Sequence, residues 1–96
     1  MDSNISKNIT LLANKVVNLL IEKTNSDPRS PLSFLYAYEK TRSTHTSYTD
    51  SKFDKSNLQR RQHVIDYLLN NELIFISPEN VKWVYVTQKA LDQYPM

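Results

Sequence analysis

The segment SNLQRRQHVIDYLLNNELIFISPENVKWVYVT, residues 56–87, decides the fold of this 96-residue chain. Its first eight residues are polar or charged except for Leu58, and apolar residues then recur at helical spacing as far as Leu69. Two β-prone stretches follow, residues 73–77 and 81–86, joined by the turn-forming residues 78–80. This order predicts a helix with a polar first half and an apolar second half, followed by an antiparallel β-hairpin.

The helix in this segment has a predicted start, inner face and end. Ser56 and Gln59 have capping-box spacing, and Asp54 is an alternative start one turn earlier. At 100° per residue the side opposite Leu58 collects Ser56, Gln59, Arg60 and His63. Because the chain has no glycine, Asn70-Asn71 is predicted to end the helix in the left-handed conformation. The predicted inner face consists of Leu58, Ile65, Leu68 and Leu69, with Val64 at its edge.

The hairpin leads into a short last helix. Thr87 is a good N-cap for residues 88–93. In the second strand Trp83 and Tyr85 alternate with Val84 and Val86, so one pair faces the core. If the valines are inside, the two aromatic side chains stand outside, where they stack on bases or pack on the first helix or a second subunit.

Upstream, two further helices are predicted. Apolar residues from Ile5 to Leu20 recur every three or four residues and form a wide stripe, and Pro28 ends this helix. The width predicts a homodimer interface, with burial in the subunit's own core as the alternative for each residue. Ser30-Pro31 predicts a second helix from Pro31 to about Thr41, followed by a Ser/Thr-rich loop over residues 42–54. The residues assigned to the dimer interface are Ile5, Ile9, Leu12, Val16 and Val17.

Composition excludes several classes of site. The chain has no cysteine, so it has no disulfide and no thiolate zinc site. His63 and Asp66 lie three apart, but no third metal ligand has suitable spacing, and without glycine there is no glycine-rich phosphate loop. We therefore expect no enzyme activity, no cofactor and no small-molecule ligand. With no apolar stretch of about 20 residues and no signal-peptide pattern, we expect one cytoplasmic domain spanning residues 1–96.

Positive charge is concentrated in the middle of the chain. The net charge is +2, but residues 31–63 carry six Lys and Arg against three Asp and Glu. Such an excess is either a solvated surface or a site for phosphate groups. The residues predicted to contact a nucleic-acid backbone are Lys40, Arg42, Lys52, Lys55, Arg61 and, in the hairpin, Lys82.

The second half of the chain resembles winged helix-turn-helix regulators of the MarR-like and PadR-like kind. Residues 69–74, LNNELI, are similar to the segment that follows the recognition helix in those proteins, and residues 83–90, WVYVTQKA, are similar to the end of their wing. Size and composition are also similar to small winged-helix proteins of archaeal viruses and plasmids. The resemblance implies an α+β winged helix with a three-helix core, a two-stranded wing and a short C-terminal helix.

The resemblance also implies a function, which the residues of the third helix support. It implies a transcriptional regulator that binds double-stranded DNA as a homodimer, with the third helix in the major groove and the wing on the backbone. Gln and Arg can make bidentate contacts to adenine and guanine edges. The predicted base contacts are Ser56, Asn57, Gln59, Arg60 and His63. The alternatives are a solvated polar face and, as a different function, a winged-helix protein-interaction module.

Overall fold

In the computed structural model the described part of the chain forms four helices and one three-stranded antiparallel sheet, an α+β fold. The structure describes residues 3–25, 27–44 and 54–94. The strand order is β1-β3-β2, so the first strand pairs with the last. The elements are α1 (Ser3–Thr24), β1 (Leu32–Ser33), α2 (Phe34–Thr44), α3 (Lys55–Asn70), β2 (Ile74–Ile76), β3 (Trp83–Val86) and α4 (Gln88–Gln93).

The wide apolar stripe of α1 is used within the subunit. Leu12, Val16 and Val17 are all 0% exposed, so their assignment to a dimer interface is wrong. The stripe is wide because α1 contacts α2, α3, α4 and the sheet, and each neighbour covers a different side of the helix. Ile9 is partly buried against the same core. The side chain of Ile5 lies outside the described residues.

The second helix begins later than predicted. Leu32 and Ser33 form β1, paired with Val84 and Trp83 of β3. Ser33 then caps α2, its Oγ accepting a hydrogen bond from the Tyr36 amide at 3.1 Å. The Ser30-Pro31 start is therefore wrong. A two-residue strand has no periodicity of its own, and only its pairing with β3 identifies it.

Helix α3 begins with Asp54 at the N-cap, the earlier of the two predicted starts. At its other end the left-handed residue is Glu72, at φ 58°, whereas Asn71 has φ −92°. The Glu72 amide donates to the Leu69 carbonyl and the Leu73 amide to the Leu68 carbonyl, at 3.0 and 2.9 Å. This pair of bonds is a Schellman motif with glutamate in the position that glycine usually holds.

The inner face of α3 is rotated from the predicted one at its N-terminal end. The fully buried residues are Asn57, Val64 and Leu68, while Leu58 is 42% exposed. The polar Asn57 thus occupies the core position that hydrophobicity assigned to its neighbour. Asn57 can be buried because the Tyr38 hydroxyl, which lies in the core, donates a hydrogen bond to its side-chain oxygen.

The hairpin and the last helix are confirmed. Val84 and Val86 are buried, and the sheet pairs Ile74 with Val86 and Phe75 with Tyr85. The Thr87 hydroxyl accepts from the Ala90 amide at 3.1 Å and donates to the Glu72 carbonyl at 2.6 Å. This threonine thereby joins the start of α4 to the end of α3. In the part of the chain that the structure describes, no helix has both the length and the apolar character to cross a membrane.

Candidate nucleic-acid interface

The outer side of α3 presents three of the predicted base-contact residues. Ser56, Gln59 and His63 are exposed, and we call these three residues the α3 polar face. They are separated by three and four residues, so they lie along one side of the first two and a half turns. Sequence reasoning omitted Gln62, which is also exposed and donates to Asp66 Oδ1 at 3.0 Å.

Asn57 does not belong to this face. Its side chain is 0% exposed, and its Oδ1 accepts a hydrogen bond from the Tyr38 hydroxyl at 2.8 Å. Its Nδ2 donates to Glu39 Oε2 at 3.2 Å. The assignment of Asn57 to base contact is wrong, because its amide groups are turned into the interface between α2 and α3.

Arg42 belongs to the same buried cluster rather than to the outer surface. Its Nη2 and Nε donate to Glu39 Oε1 at 2.7 and 3.1 Å, and only about a tenth of its side chain is exposed. The predicted phosphate contact by Arg42 is therefore wrong. A partly buried carboxylate holds the guanidinium, and charge-assisted bonds of this kind are strong.

Arg60 lies at the edge between the buried cluster and solvent. It is partly buried, and its Nη1 donates to Asn57 Oδ1 at 3.4 Å. Burial raises the pKa of the neighbouring Tyr38 hydroxyl, and this outweighs the opposing effect of the Arg60 and Arg42 cations. Tyr38 thus remains a hydrogen-bond donor throughout the neutral range. No pattern in the sequence connects Tyr38 to residues 57 and 60, which are about twenty positions away.

Three of the predicted backbone-contact residues lie on α3 or the hairpin. Lys55 and Lys82 are exposed, while Arg61 is partly buried. Arg61 and Lys82 line the same open cleft of about 350 Å³, between α3 and the tip of the hairpin. The structure thus brings two cations from separate elements to one cleft. The other described lining residues are Ser33, Phe34, Leu35, Ile65, Ile76, Val81 and Val84.

Lys40 is not part of this arrangement, and Lys52 lies outside the described residues. The ammonium groups of Lys40 and Lys23 lie 5.9 and 6.0 Å from the centre of the Tyr36 ring. Lys40 and Arg42 are two residues apart and so occupy nearly opposite sides of α2. Lys40 lines a cleft together with Lys15, Leu19 and Glu22 of α1, so it lies on the side of α2 that faces α1.

The outer face of the hairpin is aromatic. The Phe75 and Tyr85 rings stack with centroids 5.1 Å apart. Phe75 and Trp83 remain 47% and 41% exposed. Sequence alternation left open which pair faces the core; the structure buries Val84 and Val86, so Trp83 and Tyr85 lie on the outer side of the strand.

No group of three or more His, Cys, Asp or Glu side chains among the described residues is placed to hold a metal ion. Comparison of the chain with protein-family models, with curated proteins and with solved structures found no match.

Proposed function

We propose that this chain is a winged-helix protein that binds double-stranded DNA and regulates transcription. The observation that carries the proposal is the exposed α3 polar face, on a helix that is directly followed by the β-hairpin bearing Lys82. In this proposal α3 enters the major groove and the hairpin, as the wing, lies on the adjacent backbone.

The order and pairing of the elements support the winged-helix assignment. Helices α2 and α3 are consecutive, and the hairpin follows α3 directly. The short strand β1, between α1 and α2, adds to the hairpin and ties it to the helices. Such pairing gives the hairpin a fixed position relative to α3, which a wing requires if both elements are to contact one duplex.

The chemistry of α3 supports base recognition. The amide of Gln59 can donate to and accept from an adenine edge at the same time, and the imidazole of His63 and the hydroxyl of Ser56 can each add a single bond. Arg60, at the border of this face, has the fork geometry that fits guanine O6 and N7. These four residues are the base contacts in the proposal.

Phosphate contacts are assigned to Lys55, Arg61 and Lys82. Arg61 of α3 and Lys82 of the hairpin line one cleft, so two separate elements contribute cations to the same part of the surface. Contacts of this kind position a protein on DNA and make its affinity depend on salt, without encoding sequence.

The proposal keeps the homodimer but moves its interface. Since the inner stripe of α1 is buried within the subunit, a second copy would have to use exposed apolar side chains such as Leu11 of α1. Sedimentation at micromolar concentration should give twice the monomer mass. A monomer would remove the dimer while leaving the DNA-binding proposal in place.

The direct test is selection of bound duplexes from random-sequence DNA at moderate salt. We expect an enriched sequence motif whose information is lost when Gln59 and His63 are both replaced by alanine. The matched control replaces Gln88 and Asp92 on α4, exposed residues that bond to each other at 3.0 Å and should leave the motif intact. Recovery of only random sequence would refute sequence-specific recognition, and recovery of no DNA would refute DNA binding.

A second candidate function is favoured by one observation, the aromatic outer face of the hairpin. Exposed Trp83 and Phe75 are typical anchors of protein interfaces. In this case the chain is a protein-interaction module and the charges on α3 are incidental. Trp83→Ser separates the two functions, because it should abolish partner binding in the second but spare the DNA motif in the first.

A further inference from the structure

Tyr38, Glu39, Arg42 and Asn57 form a buried polar cluster between α2 and α3. A series of hydrogen bonds connects this cluster to Arg60 at the outer surface. Glu39 accepts from Arg42 on one side and from Asn57 Nδ2 on the other. Asn57 Oδ1 in turn accepts from the Tyr38 hydroxyl at 2.8 Å and from Arg60 Nη1 at 3.4 Å. The chain of bonds therefore runs from the core of α2 to the arginine at the edge of the α3 polar face.

The orientation of the Asn57 amide is fixed by its neighbours. Its oxygen faces two donors, and its nitrogen faces a carboxylate oxygen at 3.2 Å. Rotating the amide by 180° would place its NH₂ against the Arg60 guanidinium and its oxygen against the Glu39 carboxylate, which is unfavourable at both of these contacts. Because Asn57 is completely buried, these contacts act in a low-dielectric environment and hold the amide in one orientation.

Tyr38 is itself immobilised. Its ring is 0% exposed and packs against Phe34, with centroids 6.0 Å apart. The hydroxyl needs an acceptor at this depth, since an unsatisfied buried hydroxyl costs about 1–3 kcal/mol. Asn57 supplies that acceptor, which explains why a polar residue displaces Leu58 from the inner side of α3.

We propose that Asn57, locked by the Tyr38 hydroxyl and the Glu39 carboxylate, is the positioning residue that holds the Arg60 guanidinium at the edge of the α3 polar face. The inference rests on the proposed function in one respect, that Arg60 contacts a base. A long side chain loses rotamer entropy on binding, and the buried amide removes part of that freedom in the unbound protein. Arg60 thereby gains selectivity from a residue that never touches DNA.

The first test needs no DNA. Nuclear magnetic resonance relaxation of the Arg60 Nε–H group measures its order in the free protein. Arg60 also hydrogen-bonds the Tyr38 side chain, so Tyr38→Phe is measured as well. We expect the Arg60 Nε–H to be most ordered in wild type and to lose more order in Asn57→Leu than in Tyr38→Phe. The Nε–H of Arg29, whose side chain is 91% exposed and whose Nε lies 3.4 Å from Asp27 Oδ1, is the surface reference. Equal order of Arg60 in wild type and Asn57→Leu would overturn the proposal.

The second test separates positioning from folding. Asn57→Leu leaves the Tyr38 hydroxyl with only its longer contact to the backbone carbonyl of residue 57, 3.4 Å in the wild type, so it should lower stability. Tyr38→Phe/Asn57→Leu removes the hydroxyl as well and should recover part of that stability. We expect both variants to lose roughly ten-fold in the ratio of affinity for the selected motif to affinity for random DNA, within the range for one base contact. Val64→Ala, a buried change on the same helix, should lower stability and leave the ratio unchanged.

A mutant cycle with Arg60→Ala completes the design. In the Arg60→Ala background, Asn57→Leu should cause no further loss of the affinity ratio, because there is no guanidinium left to position. A full additional loss, or recovery of the ratio in the stabilised double variant, would mean that Asn57 acts only through the fold. If wild type binds no DNA at all, the proposed function fails, while the relaxation measurement still decides the positioning role.

Discussion

Glu72→Gly should stabilise the protein. Glu72 ends α3 at φ 58°, a conformation that costs about 1–2 kcal/mol for a residue with a Cβ atom. Glycine removes this cost but adds about 0.5–1 kcal/mol of backbone entropy in the unfolded state. The net gain is about 0.5–1 kcal/mol, which for a domain of this size raises Tm by about 2–8 °C.

The side chain of Glu72 gives no reason to expect an offsetting loss. The side chain is exposed, and the group of Glu72 that accepts from the Thr87 hydroxyl is its backbone carbonyl, which glycine retains. A carboxylate near the C-terminal end of a helix is also slightly unfavourable for the helix dipole. Glu72→Ala removes this charge but keeps the Cβ atom, so it isolates the electrostatic contribution.

Thermal and urea denaturation followed by circular dichroism measure the effect. We expect the free energy of unfolding of Glu72→Gly to exceed that of Glu72→Ala by about 0.5 kcal/mol or more. Asn25→Gly provides a matched comparison, since Asn25 has φ 56° but asparagine tolerates this region, so its gain should be smaller. If Glu72→Gly is no more stable than Glu72→Ala, the reasoning from the backbone conformation is refuted.

Four further outcomes are expected. Gln59→Ala should weaken binding to the selected DNA motif by about 1–3 kcal/mol and binding to random DNA much less; equal losses in a titration would reassign Gln59 to the backbone. Lys82→Ala should weaken binding to all duplexes alike and lower the slope of log affinity against log salt concentration by about one counterion. Lys89→Ala on α4 is the control and should leave that slope unchanged. Equal slopes for the two variants would mean that the hairpin does not contact DNA. Thr87→Ala should cost about 1 kcal/mol of stability by removing the α4 cap, and an unchanged urea midpoint would count against the cap. Burial raises the folded-state pKa of Tyr38 above 10.0, so the unfolded chain deprotonates first and the stability of the protein should fall as the pH rises past about 10. The stability of Tyr38→Phe should fall less steeply. Parallel curves of stability against pH for the two proteins would exclude Tyr38 as the cause.

Local sequence signals determined the elements that depend on local physics. The period of the apolar residues predicts α1, alternation and turn residues predict the hairpin, and a threonine N-cap predicts α4, and all three are present. The exposure of Ser56, Gln59 and His63 also follows from helical geometry. Polar residues at this spacing share one side of the helix, and that side faces solvent when the core offers them no hydrogen-bond partner.

Tertiary structure decided what depends on distant partners. The strand Leu32–Ser33 exists because β3 pairs with it, and the stripe of α1 is buried because three helices and the sheet surround it. Asn57 is drawn into the core by Tyr38, and Arg42 is held by Glu39. Hydropathy assigns a polar residue to solvent, and only a buried hydrogen-bond partner, brought near by the fold, can reverse that assignment.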